Sequence, residues 1–314
     1  MIALACVGPG EKLRSAIQTL GRAGAQAFSR SSSPLFRWRE GPRRRTQLRS
    51  VLSRLAAAAF ALPLLSLLPA PAAGQQLPAA PAETLFVYGP GGPLPAMREA
   101  AAAFTRAHGV AVIVTAGPAS QWLGRARADA DVIYSGSEHM MTDFIGQLHE
   151  ASAGAIVDST VTPLYLRPAA ILVRKGNPLG IARFEDLLKP GVKVLVVHGA
   201  GQTGLWEDVA GRTGNIEVVR AFRNNIGAFA PNSGEARRMW TGDASYDAWL
   251  IWNIWQVANP EIADMVPLAP EWLVYRDAGA ALTRRGNDRP IAHAFVDYLQ
   301  SPEGAAVFRR WGWR

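Results

Sequence analysis

The sequence of 314 residues contains a single cysteine, Cys6, and only five histidines. One cysteine leaves no partner for a disulfide bond within the chain and no cysteine nucleophile in the remainder. The histidines lie at positions 108, 139, 149, 198 and 293, and their spacing is not that of a metal site. The G-x-S-x-G motif of serine hydrolases is missing as well. We therefore predict no metal, no cofactor and no catalytic residue, and we expect that the protein is not an enzyme.

An excess of basic residues is also missing from most of the chain, although the formal net charge is +8. Residues 1–73 contain eleven Lys or Arg and two acidic residues, a net charge of +9. Residues 74–314 contain 22 basic and 23 acidic residues, a net charge of −1. A surface that binds DNA or RNA needs a basic patch on the folded part of the chain. The charge distribution therefore argues against a nucleic-acid partner.

No apolar run is long enough for an ordinary membrane-spanning helix. The run "LAAAAFALPLLSLL" has about fourteen residues and includes Pro63. It follows the basic segment "GPRRRTQLRSVLSR" and precedes "PAPAAGQQ", a pattern typical of a cleavable export signal. We predict an export signal at about residues 41–73 after an upstream presequence, a linker at 74–83, and periplasmic localisation. The Sec route is favoured over the twin-arginine route because Gln47 occupies a position where an aromatic residue is usual.

Short strand patterns alternate with helix patterns from residue 84 onward. The strands "TLFVYG", "VAVIVTAG" and "ADVIYSG" are each followed by a helix pattern, at residues 95–108, 119–128 and 138–148. Such alternation predicts an α/β fold with a doubly wound parallel sheet. Ligands of open sheets of this kind bind beyond the carboxyl ends of the strands. Here those ends are residues 89–92, 115–118 and 135–137.

A second α/β unit follows the long extended segment "LYLRPAAILVRKGNP". It comprises a helix at "FEDLLK", the strand "KVLVVHG", the turn "AGQTG", and helices at "LWEDVAGR", 216–226 and 233–258. The segments "ADMVPL" and "EWLVYRDAGAALTRRG" are predicted to return the chain to the first unit, and two helices end the sequence. We therefore predict two lobes, one formed by residues 84–167 and 272–314 and the other by 168–271. Hinges are expected at 168–173 and 266–275.

The three strand ends of the first lobe are rich in glycine and in hydroxyl side chains. Each leads into a helix, and the unpaired N–H groups of a helix N-terminus attract an anion. Glycine allows backbone amides to approach a ligand closely. The candidate ligand-binding residues of this lobe are Tyr88, Gly89, Gly91, Gly92, Thr115, Gly117, Gln121, Ser135, Gly136 and Ser137. The alternative is that these residues serve only as turns and helix caps.

The segment "GAGQTG" at residues 199–204 matches the G-x-G-x-x-G pattern that binds dinucleotides. Glu217 lies near the position of the acidic ribose ligand, but it precedes "VV" and does not end a strand. We therefore prefer a different interpretation, in which Gly201, Gln202, Thr203 and Gly204 form a helix start of the second lobe that faces an anion. Plain helix capping is the alternative.

Two charged residues of the sequence are further candidates. Arg167 precedes Pro168 and can reach the cleft as a bidentate partner of sulfate or a carboxylate, or lie in solvent. Asp247, in "SYDAWLIWNIW", would indicate a ligand with an ammonium group if it faces the cleft. If it caps a helix or pairs with Arg237 or Arg238, it carries no information about the ligand. The aromatic residues Tyr246, Trp249, Trp252 and Trp255 of this segment are predicted to form a core stripe on a helix.

Five strings occur in one consistent order: "VYGPGGPLPAM", "TAGPASQW", "ADVIYSGSEHMMTDF", "RPAAILVRKGNP" and "WLIWNIWQ". Through them, residues 83–314 resemble the two-lobed, type 2 periplasmic solute-binding proteins, a group that includes molybdate and sulfate binders. The resemblance is closest to the accessory colonisation factor C family. It implies a Venus-flytrap fold with two crossover strands and a monomer without enzymatic activity. It also implies delivery of a ligand to an ABC transporter permease or a sensor partner, through transient docking at the membrane.

The ligand expected from these patterns is a small anion in the cleft between the lobes. A tetrahedral oxyanion such as sulfate or molybdate is favoured, and a small carboxylate or an acidic amino acid is the alternative. Two other classes of function stay open. One is an exported nucleotide-dependent enzyme that uses "GAGQTG", and the other is a host-interaction protein with a degenerate cleft.

Overall fold

The computed structural model describes residues 83–152 and 155–314. The predicted export signal at 41–73, the upstream presequence and nearly all of the linker at 74–83 lie outside the described residues. The described part contains α-helices and one curled mixed sheet. None of its helices is both long enough and apolar enough to cross a membrane.

Nine strands belong to the sheet. They are β1 (Thr84–Gly89), β2 (Ala111–Ala116), β3 (Val132–Tyr134), β4 (Thr162–Val173), β5 (Val194–Val197), β6 (Ile226–Ala230), β7 (Ala248–Trp252), β8 (Asp264–Pro267) and β9 (Tyr275–Leu282).

The α-helices alternate with these strands. They are α1 (Leu94–His108), α2 (Ala119–Asp129), α3 (Glu138–Ala151), α4 (Leu205–Ala210), α5 (Ile216–Asn225), α6 (Ser233–Gly242), α7 (Ile254–Ala258), α8 (Arg284–Asn287), α9 (Pro290–Gln300) and α10 (Pro302–Arg310). Short 3₁₀ helices lie at Asp158–Thr160, Phe184–Leu188 and Ala200–Gln202.

The strand order is β2-β1-β3-β9-β4-β7-β5-β6, and β8 pairs separately with β4. Strand β4 divides the sheet, because its first part pairs with β9 and its second part pairs with β7 and β8. We call the strands on the β9 side the first half-sheet and those on the β7 side the second half-sheet. The change of partner occurs between Pro168, opposite Tyr275, and Ala169, opposite Trp252.

The first half-sheet shows why an alanine-rich sequence forms helix α1. Pro95 lies in the first turn, where its missing N–H costs no hydrogen bond. Gly109 ends the helix in the left-handed region, at φ 68°. The small residues Ala96 and Ala100 let the helix pack closely, and Phe104 fills the space between α1 and α9 by an edge contact with Phe295 at 5.2 Å between ring centroids. This packing places the start of α1 at the carboxyl end of β1.

The second half-sheet is held by an aromatic core. Trp240 and Trp249 are fully buried, and Phe184 stacks on Phe222 with ring centroids 5.4 Å apart. The guanidinium of Arg174 lies 3.7 Å from the Trp240 ring centroid and donates to backbone carbonyl oxygens of the segment after α6. The loop between α6 and β7 is therefore fixed by a residue from the end of strand β4.

Two predictions of secondary structure were wrong. The segment expected as one helix at 233–258 contains helix α6, strand β7 and helix α7. The segment "FEDLLK", expected as a helix of the ordinary kind, contains the 3₁₀ helix Phe184–Leu188. Strands β1, β2 and β3 run parallel, as the alternation of strands and helices predicts, whereas β4 and β9 run antiparallel to their neighbours, so the sheet as a whole is mixed. A strand buried on both faces has no alternating pattern, so "AWLIW" resembles a helix in sequence.

Candidate functional site

A cavity of about 150 Å³ lies where loops of both half-sheets meet. The first half-sheet contributes the loop after β1, the turn before α2 and the start of α3. The second contributes the Ala200–Gln202 turn, the start of α6, and residues around the end of β7. The lining residues are Pro90, Gly91, Gly92, Pro93, Gly117, Pro118, Gly136, Met140, Arg167, Gly201, Gln202, Asn232, Ser233, Gly234, Trp252 and Trp255.

Four helix N-termini converge on this cavity. Helices α1, α2 and α3 begin at the carboxyl ends of β1, β2 and β3, and α6 begins opposite them. In α6, the Asn232 side chain accepts from the N–H of Glu235. The N–H groups of Ser233 and Gly234 lie before Glu235 in the helix and are not bound by this cap. The partial positive charge of each helix start favours an anion in the space between them.

Arg167 places a cation at the wall of the cavity. The side chain is 3% exposed, and Nη2 donates to the carbonyl oxygen of Gly136. Nε and Nη1 have no hydrogen-bond partner among the described residues. A buried charged group without partners is costly unless a ligand supplies them. These unpaired N–H groups can donate to the oxygen atoms of an acidic group such as a carboxylate or a phosphoryl group.

The electrostatic surroundings of Arg167 are unfavourable for its charge in the absence of a ligand. The pKa of the guanidinium is lowered from 12.5 to about 9, mainly by burial, with Asp277 acting in the opposite direction and Arg276 adding a smaller lowering. One oxygen of Asp277, Oδ1, accepts from the N–H of Glu138 at 3.0 Å. The site therefore presents a destabilised cation that an anion would stabilise.

Two more polar groups at the cavity wall lack partners. The Oε1 atom of Gln202 and the indole Nε1 of Trp252 are buried without a hydrogen bond. The Nε2 atom of Gln202 donates to the hydroxyl of Ser233, which joins the Ala200–Gln202 turn to the start of α6. The wall thus offers hydrogen-bonding groups from the second half-sheet as well as from Arg167.

Much of the cavity wall is nevertheless apolar. Trp252 and Trp255 supply aromatic surface, Met140 supplies a thioether, and prolines 90, 93 and 118 supply aliphatic rings. A site made only of amides and hydroxyls suits an inorganic oxyanion, whereas this wall also provides contacts for carbon atoms. The arrangement can bind a small molecule that carries both an acidic group and an apolar part.

The turn from "GAGQTG" touches the first half-sheet closely at Gly201. A Cβ atom at this position would lie 3.2 Å from the carbonyl oxygen of Gly136 and 3.3 Å from the hydroxyl of Ser137. The φ angle of Gly201 is −70°, which any residue can adopt. Glycine is therefore needed here for the close approach and not for the backbone conformation. Glu217 lies in the first turn of α5 and forms an ion pair with Arg220, so it does not end a strand as the acidic ribose ligand of a dinucleotide site does. The turn therefore belongs to the wall of the cavity.

Of the sixteen candidate residues, seven line the cavity: Gly91, Gly92, Gly117, Gly136, Arg167, Gly201 and Gln202. Nine do not: Tyr88, Gly89, Thr115, Gln121, Ser135, Ser137, Thr203, Gly204 and Asp247. Most of these nine support the loops around the cavity.

The hydroxyl of Tyr88 donates to Asp129 at 2.7 Å, and burial together with this hydrogen bond raises the pKa of Tyr88 to about 12. Ser137 caps α3 by accepting from the N–H of Met140, and the Ser135 hydroxyl accepts from the N–H of Gly279. Gly89 has no room for a side chain, because a Cβ would lie 2.5 Å from the Tyr134 carbonyl oxygen.

The remaining candidates lie at the edges of their elements. Thr203 and Gln121 are exposed, Thr115 is half-buried within β2, and Gly204 starts α4 at φ 76°. Asp247 precedes β7, so it lies at the opposite end of that strand from Trp252, and its carboxylate accepts from the N–H of Lys193 at 2.8 Å. The structure thus gives Asp247 a structural contact and not a place in the cavity.

The sequence predictions missed several lining residues. Asn232, Ser233, Gly234 and Met140 are not among the sixteen candidates, although all four line the cavity. Trp252 and Trp255 were assigned to the core, although both reach the cavity wall. The signal that identifies the α6 residues is the string "PNSGE" directly after a short strand, the same strand-to-helix joint that was used in the first half-sheet.

The sequence matches the model of one family, described as bacterial extracellular solute-binding protein, over residues 85–314. None of the curated proteins compared with the sequence matches it. Among solved structures, L-phospholactate-bound PEB3 is 36% identical, with a TM-score of 0.69 over 73% of this chain and 99% of the other. A second structure, PEB3 from Campylobacter jejuni, is 35% identical, with a TM-score of 0.67 over 73% of this chain and 99% of the other.

More distant structures share the fold. The sulfate-binding protein SubI from Mycobacterium tuberculosis is 21% identical, with a TM-score of 0.60 over 74% of this chain and 86% of the other. The periplasmic molybdate-binding protein of Azotobacter vinelandii is 15% identical, with a TM-score of 0.55 over 73% and 98%. The predicted two-lobed, type 2 periplasmic-binding-protein fold is therefore confirmed. Since the family model covers most of the chain, this protein belongs to the bacterial extracellular solute-binding proteins.

Proposed function

We propose that this protein captures a small organic anion in the cavity and that Arg167 binds the acidic group. The observation that carries the proposal is the guanidinium of Arg167, buried at the cavity wall with Nε and Nη1 unpartnered. The oxygen atoms of a carboxylate or phosphoryl group would accept hydrogen bonds from this cation. The helix N-termini around the cavity would hold the remaining negative charge.

An organic anion is favoured over the sulfate or molybdate expected from the sequence. The tryptophan and proline surfaces need carbon atoms as partners, and a cavity near 150 Å³ is the size that accepts benzene in other proteins. The relative at 36% identity is described as bound to L-phospholactate, a phosphorylated three-carbon acid. We therefore place small carboxylates and their phosphate esters first, and inorganic oxyanions second.

The proposed site works by closure of the two lobes, for which we keep the boundaries 84–167 with 272–314 and 168–271. The turn at Gly201 and the start of α6 come from one side of β4, and the loops of α1, α2 and α3 come from the other. A ligand that contacts both sides stabilises the closed form. The closed protein, a periplasmic monomer, would deliver the ligand to an ABC transporter permease or a sensor without chemical change.

A thermal-shift panel on the full chain tests the proposal. The ligands are L-phospholactate, L-lactate, citrate, aspartate, sulfate, molybdate and phosphate, with glucose as the neutral control and sodium chloride to match ionic strength. At one hundred times Kd, a ligand stabilises by about 2.7 kcal/mol, which raises Tm by roughly 5–10 °C in a protein of this size. We expect an organic anion to give the largest shift. A shift with glucose and none with any anion would remove the proposal.

A further inference from the structure

The guanidinium of Arg167 lies between two indole rings. Its Cζ atom is 4.8 Å from the ring centroid of Trp252 and 4.9 Å from that of Trp313. Both tryptophans are almost completely buried, at 1% and 2% exposure. Trp252 belongs to the cavity wall, whereas Trp313 does not line the cavity. Trp313 therefore has access to a ligand only through the side chain of Arg167.

The backbone holds Trp313 beside strand β4. The N–H of Arg314 donates to the carbonyl oxygen of Leu166 at 2.8 Å, and the N–H of Leu166 donates back to Arg314 at 2.9 Å. This reciprocal pair is the contact of two antiparallel strands, and it acts on the residue directly before Arg167. The position of Trp313 relative to Arg167 is thus set by two backbone hydrogen bonds.

A second anchor ties the same segment to Trp252. The side-chain amide of Asn253 donates to the carbonyl oxygen of Gly312 at 2.7 Å, and Asn253 follows Trp252 in the chain. Gly312 has φ 86°, a conformation that favours glycine, and a Cβ there would lie 2.8 Å from the Asn253 amide nitrogen. One set of contacts therefore fixes both rings around the guanidinium.

The rings matter because Arg167 has a competing acceptor nearby. The Oδ2 atom of Asp277 is buried without a hydrogen-bond partner, and Asp277 belongs to β9, beside the part of β4 that contains Arg167. The charge of Asp277 raises the pKa of Arg167, so this carboxylate attracts the guanidinium. The two ring contacts restrict the rotation of the guanidinium, since the cation is attracted to the face of each ring.

We propose that Trp313 is a positioning residue, which together with Trp252 keeps the Arg167 guanidinium turned toward the cavity and away from Asp277. The effect on affinity rests on the proposed function, whereas the effect on the orientation of Arg167 does not. A residue outside the cavity thereby contributes to binding through the side chain that it holds.

The binding arm uses calorimetry of the full chain with L-phospholactate. Trp313→Leu should weaken binding about tenfold, and Trp313→Phe should restore most of it because a ring face remains. In an Arg167→Lys background the same Trp313→Leu change should cost less than about threefold, because the pair no longer acts as a unit. An equal loss in both backgrounds would mean that Trp313 acts on the fold alone, and the inference would fall.

Trp311→Leu is the matched control, a second tryptophan of the same segment. Its indole N–H donates to Glu99 at 2.7 Å, whereas the rings that the Arg167 guanidinium lies over are those of Trp252 and Trp313. This variant should lower Tm without weakening the binding of L-phospholactate. A loss of affinity like that of Trp313→Leu would show that any damage to this segment impairs the site, which contradicts a specific role of Trp313.

The orientation arm needs no ligand. In nitrogen-15 NMR spectra of the full chain, the Nε–H signal of Arg167 is the one that disappears in Arg167→Lys. Ring currents of two indoles should displace this signal, and Trp313→Leu should move it and speed its exchange with water. An unchanged signal would overturn the inference. If wild-type protein fails to bind L-phospholactate while the signal moves as expected, the proposed ligand is wrong and the positioning of Arg167 stands.

Discussion

Replacing Arg167 by methionine should separate ligand binding from folding stability. Methionine keeps much of the side-chain volume and removes the charge and the donors. Truncating one partner of a buried, hydrogen-bonded charge pair costs about 2–5 kcal/mol, so Kd for the anion should rise about 30-fold to a few thousand-fold. The unliganded protein should keep its stability, for a reason that can be worked out from the surroundings of the guanidinium.

The costs and gains of the buried cation nearly cancel in the unliganded protein. Lowering the pKa from 12.5 to about 9 corresponds to about 5 kcal/mol against the charged form. Two cation–π contacts return about 1–2 kcal/mol each, and the charged hydrogen bond to Gly136 returns about 1.5–3 kcal/mol. The difference is within about 2 kcal/mol of zero. Such near-neutrality is common when a buried charge is exchanged for an apolar side chain.

The assay measures urea unfolding and L-phospholactate affinity for both proteins at pH 7. We expect equal free energies of unfolding within about 2 kcal/mol and a large loss of affinity. A variant that binds normally, or one that unfolds more than about 4 kcal/mol more easily before any ligand is added, would refute the view that Arg167 serves the ligand and not the fold.

The lowered pKa of Arg167 also predicts a pH dependence. Because the folded-state pKa is below the unfolded one, the charged form costs stability at pH 7, and this cost is relieved as pH rises above about 9. The free energy of unfolding of wild type minus that of Arg167→Met should therefore rise between pH 9 and about 12. Anion affinity should change in the opposite direction, since only the protonated guanidinium attracts an anion.

Two further predictions concern the surroundings of the cavity. Gly201→Ala should weaken anion binding severalfold with little change in Tm, because the new Cβ would lie 3.2 Å from the Gly136 carbonyl oxygen and hold the closing loops apart. Calorimetry measures the affinity, and Gly124→Ala, where a Cβ has open space, is the control. Asp131→Asn should lower the free energy of unfolding by about 3 kcal/mol and leave affinity unchanged, because it removes the buried partner of Arg289 at 2.7 Å. A urea-unfolding loss below about 1 kcal/mol would contradict that account.

The strand-to-helix joints of the first half-sheet could be predicted because their signals are local. Proline at the start of α1, Gly109 after it, and Ser137 as the cap of α3 all act within a few residues of their own position. Local signals also located the loops that surround the cavity, since strand ends of parallel strands meet at one edge of a sheet.

The second half-sheet was harder to predict because its strands are short and fully buried. Tyr246, Trp249, Trp252 and Trp255 repeat every three residues, which resembles one face of a helix. Packing between β4 and β5 decides the matter in favour of a strand at Ala248–Trp252, and that packing involves partners distant in sequence. Periodicity in one segment contains no information about such partners.

The environment of Arg167 could not be predicted from the sequence either. Whether it lies in solvent or in a cavity depends on Gly136, Trp252 and Trp313, which the fold brings together from separate elements. Neighbouring residues in the chain, Leu166 at 47% exposure and Pro168 within the sheet, point to neither outcome.

The position of Arg167 on strand β4 has a consequence for the order of binding events. Arg167 pairs with Arg276 in the first half-sheet, and two residues later Ala169 pairs with Trp252 in the second. A hinge at residues 168–173 would therefore move Arg167 little relative to the loops of α1 and α3, while the Gly201 turn would travel furthest. We expect the acidic group of the ligand to bind Arg167 first, in the open protein, and closure to add the amides of α6 and the Gln202 side chain afterwards. The charge of the ligand is then selected before closure, and its shape is selected by closure itself.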